Sequence, residues 1–180
     1  MTVTRAVWRQ VEAGDYGLMR VVNDWDAPRF LRAVVIAATR MGDGWLWAGM
    51  AAALLAFGGS FRYLALATGA LAACVGILLF CVLKHTSRRK RPCEIMPHCW
   101  ATIAPPDRYS FPSGHTIVAF SVVLSIGSFY PDWLLALLAA ALLIAASRII
   151  LGMHFLSDVV AGAAIGLALG HLSVHFSHFL

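Results

Sequence analysis

Three short patterns carry the reactive side chains of an otherwise apolar chain. They are Lys84-x6-Arg91-Pro92, then Pro112-Ser113-Gly114-His115, then Ser147-Arg148-x5-His154-x3-Asp158. Lys84, Arg91 and Arg148 supply positive charge for a transition state that gathers negative charge on its oxygens, and an arginine can grip two of those oxygens at once. His154 and Asp158 are spaced i, i+4 and share one face if a helix begins near His154. The carboxylate can then hold one ring N–H and leave the other nitrogen free to attack phosphorus, as a triad orients its base. Ser113-Gly114-His115 opens an apolar run. There the free N–H groups of a helix start can bind an anion, Gly114 lets it approach the backbone, and the Ser113 hydroxyl adds a donor. His115 is placed to protonate a leaving oxygen. Taken singly, each group has a plainer reading: an interfacial histidine, a Pro-Ser-Gly turn, or a basic flank beside Arg88, Arg89 and Lys90.

The 180 residues suit one domain, and they are 60% hydrophobic and 13% charged. Soluble domains run near 45–50% apolar and about 25% charged. The composition therefore predicts an all-α, polytopic membrane helix bundle and excludes an ordinary soluble enzyme. Net charge is +5, which in a membrane chain points to loop topology and to anionic lipid or phosphate, not nucleic acid. The first 28 residues mix charge with apolar positions and hold no signal-peptide core.

Five segments approach the roughly 20 apolar residues of a span: 45–57, 63–83, 115–130, 133–146 and 155–176. Residues 30–39 could extend a tilted helix into a sixth. Residues 1–41 read as an amphipathic, interfacial segment, an alternative start to the first span, with Asp26-Ala27-Pro28 as a stop. Residues 42–180 form the core, with an active-site loop at 85–113. Because each crossing reverses direction, Lys84, His115, Arg148 and His154 all fall at one membrane face. Trp45, Trp47, Trp100, Tyr130 and Trp133 fall near span ends, as an aromatic belt does. Gly162, Gly166 and Gly170 form a small-residue stripe for helix packing or, alternatively, a homodimer face. Cys74 and Cys81 read as packing residues, and Cys93 and Cys99 as free thiols or a loop disulfide. His171, His175 and His178 read as an interfacial face in preference to a metal site, on the side away from the motifs.

Together the three patterns resemble the type-2 phosphatidic acid phosphatase family, whose site architecture bacterial acid phosphatases and vanadium haloperoxidases share. The match holds at every defined position from 84 to 158, and Gly42-Asp43-Gly44-Trp45 is similar to the first span of small bacterial members. The resemblance implies a metal-independent lipid phosphatase or diphosphatase, with no cofactor. His154 would be the nucleophile, Asp158 its orienting partner and His115 the acid. Lys84, Arg91, Ser113, Gly114 and Arg148 would hold the phosphoryl oxygens. The expected partners are membrane lipids and a lipid phosphate: undecaprenyl pyrophosphate, phosphatidylglycerol phosphate or phosphatidic acid. Alternatives are a lipid A or prenyl-phosphosugar phosphatase and, outside enzymes, a lipid-binding or transport protein on the same bundle. For location, the resemblance implies a bacterial inner membrane with the site outward. Arg and Lys crowd the site side and only Arg62 lies opposite, which by the positive-inside rule argues for the cytoplasm.

Overall fold

The computed structural model describes residues 3–96, 103–105, 107–177 and 179, with side chains from residue 6 onward. Every regular element among them is helical. Helix α1 (Val3–Asn23) is amphipathic. Its Asp15 and Met19, one turn apart, are buried, while Val7, Trp8 and Val21 are exposed. The chain leaves helical geometry before Pro28, whose ring cannot continue a helix. Helix α2 (Arg29–Arg40) then turns Val35 and Thr39 inward. At 12 residues it is about 18 Å long, too short by itself to add a crossing.

A kink over Met41–Trp45 joins α2 to α3 (Leu46–Phe57). Gly44 takes φ 122° there, a left-handed value that side-chain-bearing residues avoid. Helix α4 (Arg62–Ser87) buries a small-residue face of Ala65, Thr68, Gly69, Ala72 and Gly76. Leu71, Leu78 and Val82 point outward. Arg88 caps α4 in the left-handed region and its N–H donates to the Lys84 carbonyl at 3.1 Å. A short helix, α5 (Pro92–Ile95), starts with proline at its first position, where the missing N–H costs nothing.

Helix α6 (Gly114–Phe129) is buried on nearly every side and forms the centre of the bundle. Helices α7 (Leu134–Ile150) and α8 (Leu156–Ser177) flank it together with α4. At the end away from the motifs, the Tyr130 hydroxyl donates to the Gly58 carbonyl at 2.6 Å and ties the two turns together.

Segments Gly59–Ile95, Pro131–Ile150 and Leu156–Ser177 are long and apolar enough to cross a membrane, and α6 is a shorter apolar helix. The helix-packing reading of the glycine stripe holds, while its alternative as a homodimer face and the packing reading of Cys74 and Cys81 change. The Gly162–Gly166–Gly170 stripe is used inside the chain: a Cβ at those positions would stand 2.8, 2.4 and 2.8 Å from the carbonyl oxygens of Ser113, Ile117 and Ser121 on or beside α6. That face is covered and is not open to a second copy. Cys74 and Cys81 are exposed on the outer side of α4 and do not pack in the core. Cys99, Trp100 and His178 lie outside the described residues, so the Cys93–Cys99 pairing and the full C-terminal histidine face lie there too.

Candidate active site

The motif residues converge where α4 ends, α6 begins and the α7–α8 connection turns. Lys84 is in the last turns of α4, and its buried ammonium donates to Asp107 Oδ2 at 2.6 Å. The left-handed cap at Arg88 redirects the chain inward, so that Arg91 is fully buried. Arg91 donates to the Met153 carbonyl at 2.6 Å, to Asp107 Oδ1 at 2.8 Å and to the Asp107 carbonyl at 2.9 Å. Its Nη1 also stands 3.3 Å from His154 Nε2.

Arg148, in the last turn of α7, donates through Nη1 to Thr39 at 2.6 Å. Its Nε and Nη2 are buried without a hydrogen-bond partner among the described residues. Unpaired guanidinium donors in a dry site are costly, and an incoming phosphoryl oxygen would satisfy them. Gly152 at φ 64° folds the chain back, so the N–H groups of Met153 and His154 both donate to the Arg148 carbonyl, at 3.0 and 3.1 Å. His154 therefore precedes α8 and does not open it, a shift from the helical face expected of the i, i+4 pair.

His154 Nδ1 lies 3.7 Å from Asp158 Oδ2, beyond hydrogen-bonding reach. It is buried and finds no hydrogen-bond partner among the described residues. The Asp158 carboxylate is held by other donors. Oδ1 accepts from Arg89 at 2.6 Å, and Oδ2 accepts from the Phe155 N–H at 2.8 Å and from the Ser110 hydroxyl. Arg89 bridges onward to Asp15 of α1 at 2.7 Å, and Asp15 in turn accepts from the Ser157 N–H at 3.0 Å and hydroxyl at 2.5 Å. Helix α1 is thus tied to the carboxylate behind the expected nucleophile.

At the α6 start, the Ser113 N–H donates to the Asp158 carbonyl at 3.1 Å. Thr116 donates to the Ser113 oxygen at 2.9 Å, which leaves the serine proton available to a ligand. A Cβ on Gly114 would meet the Phe80 ring at 2.9 Å, so packing against α4 also demands glycine there. His115 Nε2 is 2.7 Å from Asp43 Oδ1.

The structure thus brings all eight motif residues to one end of the bundle. It adds Asp43, Asp107, Arg89, Ser110, Asp15 and Thr39, which spacing does not single out. Asp15 has a faint signal, as a carboxylate on the same helix face as Met19. Arg89 is hidden in a basic run. Burial raises the Asp107 carboxyl's affinity for a proton, but Lys84 and Arg91 outweigh it and hold the group below the usual carboxylate range. Burial pushes the His154 imidazolium down to about 3, against the pull of Asp158 and with Arg148 and Arg91 adding to the shift. The ring is therefore neutral at pH 7, the state a nucleophile needs.

A membrane-embedded helical bundle with a histidine, guanidinium and ammonium site at one end defines a multi-pass membrane protein built to handle phosphate esters. The chain belongs to the PAP2 superfamily, whose sequence profile matches residues 61–180. It is similar to an undecaprenyl-diphosphatase of Sulfolobus acidocaldarius, 27% identical over 87% of this chain and 75% of that one. Among solved structures it resembles LpxE of Aquifex aeolicus, with TM-score 0.72, 26% identity and coverage of 89% of this chain and 94% of that one. In fold it also matches a transmembrane PAP2-type phosphatidylglycerolphosphate phosphatase of Bacillus subtilis, with TM-score 0.72, 22% identity and coverage of 95% and 88%.

Proposed function

We propose that this protein hydrolyses a phosphate or pyrophosphate carried by a membrane lipid, through a phosphohistidine on His154. The observation that carries this reading is a cavity of about 360 Å³ with Lys84, Asp107 and His115 among its polar walls and Trp47, Ile77 and Phe80 among its apolar ones. It shares Trp47 and Val118 with a second, apolar cavity of about 180 Å³ that runs on between α3, α4 and α6. A phosphate at the polar end would leave its tail in the apolar groove, as an amphiphile requires.

In this reading the His154 Nε2 lone pair forms the P–N bond as the P–O bond to the lipid breaks. His115 gives its proton to the departing oxygen. Water then attacks the phosphohistidine, His115 takes a proton back, and orthophosphate and neutral His154 result. Lys84, Arg91, Arg148 and the Ser113-Gly114 turn grip the phosphoryl oxygens. Asp107 occupies Lys84 and Arg91 in the resting site, so the arriving phosphoryl group displaces it. Asp158, held by Arg89, offers its field to His154 Nδ1 and closes the remaining gap when the ring turns to attack.

For the substrate, the likeness to the Sulfolobus undecaprenyl-diphosphatase supports a polyprenyl pyrophosphate. Phosphatidylglycerol phosphate, the substrate for which the Bacillus phosphatase is named, is the second candidate, on the shared fold. We further propose a bacterial inner membrane, five to six crossings and an outward-facing site, on the family resemblance. Phosphate release in EDTA from undecaprenyl pyrophosphate, phosphatidylglycerol phosphate and phosphatidic acid, for wild type and His154→Ala, tests the reading. Wild-type turnover abolished by the substitution is expected. Equal inertness of both proteins on all three lipids would favour a binding or transport role instead. Labelling of loop thiols in intact cells by an impermeant reagent tests the outward face.

A further inference from the structure

The Gly42-Asp43-Gly44-Trp45 segment stands outside the three phosphate-handling patterns, yet its geometry is organised around His115. Gly44 supplies the left-handed φ at the kink between α2 and α3. A Cβ on Gly42 would press on His115 Cδ2 at 3.0 Å, so the bare glycine lets this turn approach the ring. Asp43 then places Oδ1 2.7 Å from His115 Nε2. Its other oxygen is 3.9 Å from Arg40, a looser and solvent-exposed contact. Asp43 also lines the cavity assigned to the lipid phosphate.

We propose that Asp43 is a positioning residue for His115: it accepts the Nε2–H, fixes the ring, and supplies the counter-charge that the imidazolium needs when His115 acts as the acid. This rests on the proposed phosphatase reading. For the acid role His115 must hold two protons when the lipid phosphate is bound, Nε2–H on Asp43 and Nδ1–H. As the lipid P–O bond breaks, Nδ1–H passes to the departing oxygen, and the neutral ring remains anchored on Asp43 through Nε2. In the second step Nδ1 takes the proton of the attacking water. Among the described residues, the charged groups acting on this ring are Lys84 from α4, Arg148 from α7 and Asp43 from the kink before α3. Asp43 is the anion among them, so its charge opposes the two cations whenever the ring holds its second proton.

The test compares wild type, Asp43→Asn, Gly42→Ala and His154→Ala in detergent on two esters. One is phosphatidic acid, whose alkoxide leaving group needs an acid; the other is p-nitrophenyl phosphate, whose phenolate leaves unaided. Asp43→Asn keeps an acceptor for Nε2–H but removes the charge. For phosphatidic acid its kcat should fall about 10-fold or more, a part of the roughly 10²–10⁴-fold that general acid catalysis supplies. The alkaline limb of its pH profile should move down by about one unit, with KM within about twofold. Turnover of p-nitrophenyl phosphate should fall several-fold less, because only its first step needs no acid. Gly42→Ala, which crowds the His115 ring and Ile144 without altering charge, should lose more on phosphatidic acid than on the aryl ester, and it carries the test if Asp43→Asn does not fold. Equal losses on both esters, or an unmoved alkaline limb, overturn the role of Asp43. A wild type inert on lipid phosphates overturns the phosphatase reading itself, and an active wild type with an indifferent Asp43→Asn overturns only this inference.

Discussion

Gly166→Ala tests the helix contact that holds the two halves of the site together. The added Cβ would lie 2.4 Å from the Ile117 carbonyl oxygen, and 3.0 Å from both Phe120 Cβ and the Ser121 nitrogen. None of these is the movable end of a side chain, so α6 and α8 must part by about 1 Å to restore ordinary contact. Overpacking of this kind costs about 1–3 kcal/mol, and three rigid neighbours put it near the upper end. Alanine regains about 1 kcal/mol of helix propensity over glycine, leaving a net loss of about 2 kcal/mol. For a chain of this size that lowers Tm by about 4–8 °C. Gly49→Ala is the internal control: a Cβ there meets nothing within 4 Å, so it should hold or raise Tm. Thermal unfolding in one detergent, read by intrinsic fluorescence, compares the three proteins. Activity should follow, since α6 carries His115 with Ser113 at its cap while α8 carries Asp158, and a misplacement of about 1 Å can cost about 10²-fold. If Gly166→Ala melts within about 1 °C of wild type, the close approach of α6 and α8 is refuted, and with it the internal use of the glycine stripe.

Asp107→Asn removes the carboxylate from Lys84 and Arg91, so orthophosphate and vanadate should inhibit several-fold more tightly, measured as Ki; unchanged or weaker inhibition refutes the idea that Asp107 competes with phosphate. Arg89→Met leaves the fully buried Asp158 and the buried Asp15 without their shared cation and should destabilise the protein by about 3 kcal/mol, with Arg89→Lys intermediate, both read by thermal unfolding. His154 is neutral in the fold, with its imidazolium pushed down to about 3, whereas an unfolded histidine titrates near 6.5. Between those values the unfolded chain binds more protons, so the contribution of neutral His154 to stability is complete above about pH 6.5 and is lost as pH falls toward 3. His154→Gln should therefore flatten the pH dependence of Tm across that window. For the same reason the acidic limb of kcat/KM that belongs to the nucleophile should lie well below pH 6, and a limb at about 6.5 that vanishes only with changes around His154 would contradict its burial.

Sequence alone makes the bundle and the shared face legible, for physical reasons that act locally. Apolar runs of span length cannot leave water without forming helices, and alternating crossings return Lys84, His115, Arg148 and His154 to one end whatever the packing details. The glycines at 162, 166 and 170 announce a close helix contact because their spacing repeats on one face, although only packing decides that α6 fills it. The start of α8 is legible to within a residue, but the placement of His154 before it is not, because Gly152 turns the chain back there.

Partner choice was decided by tertiary structure. Asp43 meets His115 across 72 positions, Asp15 meets Arg89 across 74, and Arg148 meets Thr39 across 109. No periodicity links such pairs, and an aspartate in a turn or an arginine in a basic run looks like any solvated charge until burial removes the water. The amino-acid sequence determined which reactive groups exist, and through span length and crossing parity it determined that they share a membrane face. The packing of α6 against α4, α7 and α8 decided which group each one touches, because only dehydration at those helix ends makes the choice of counter-charge matter.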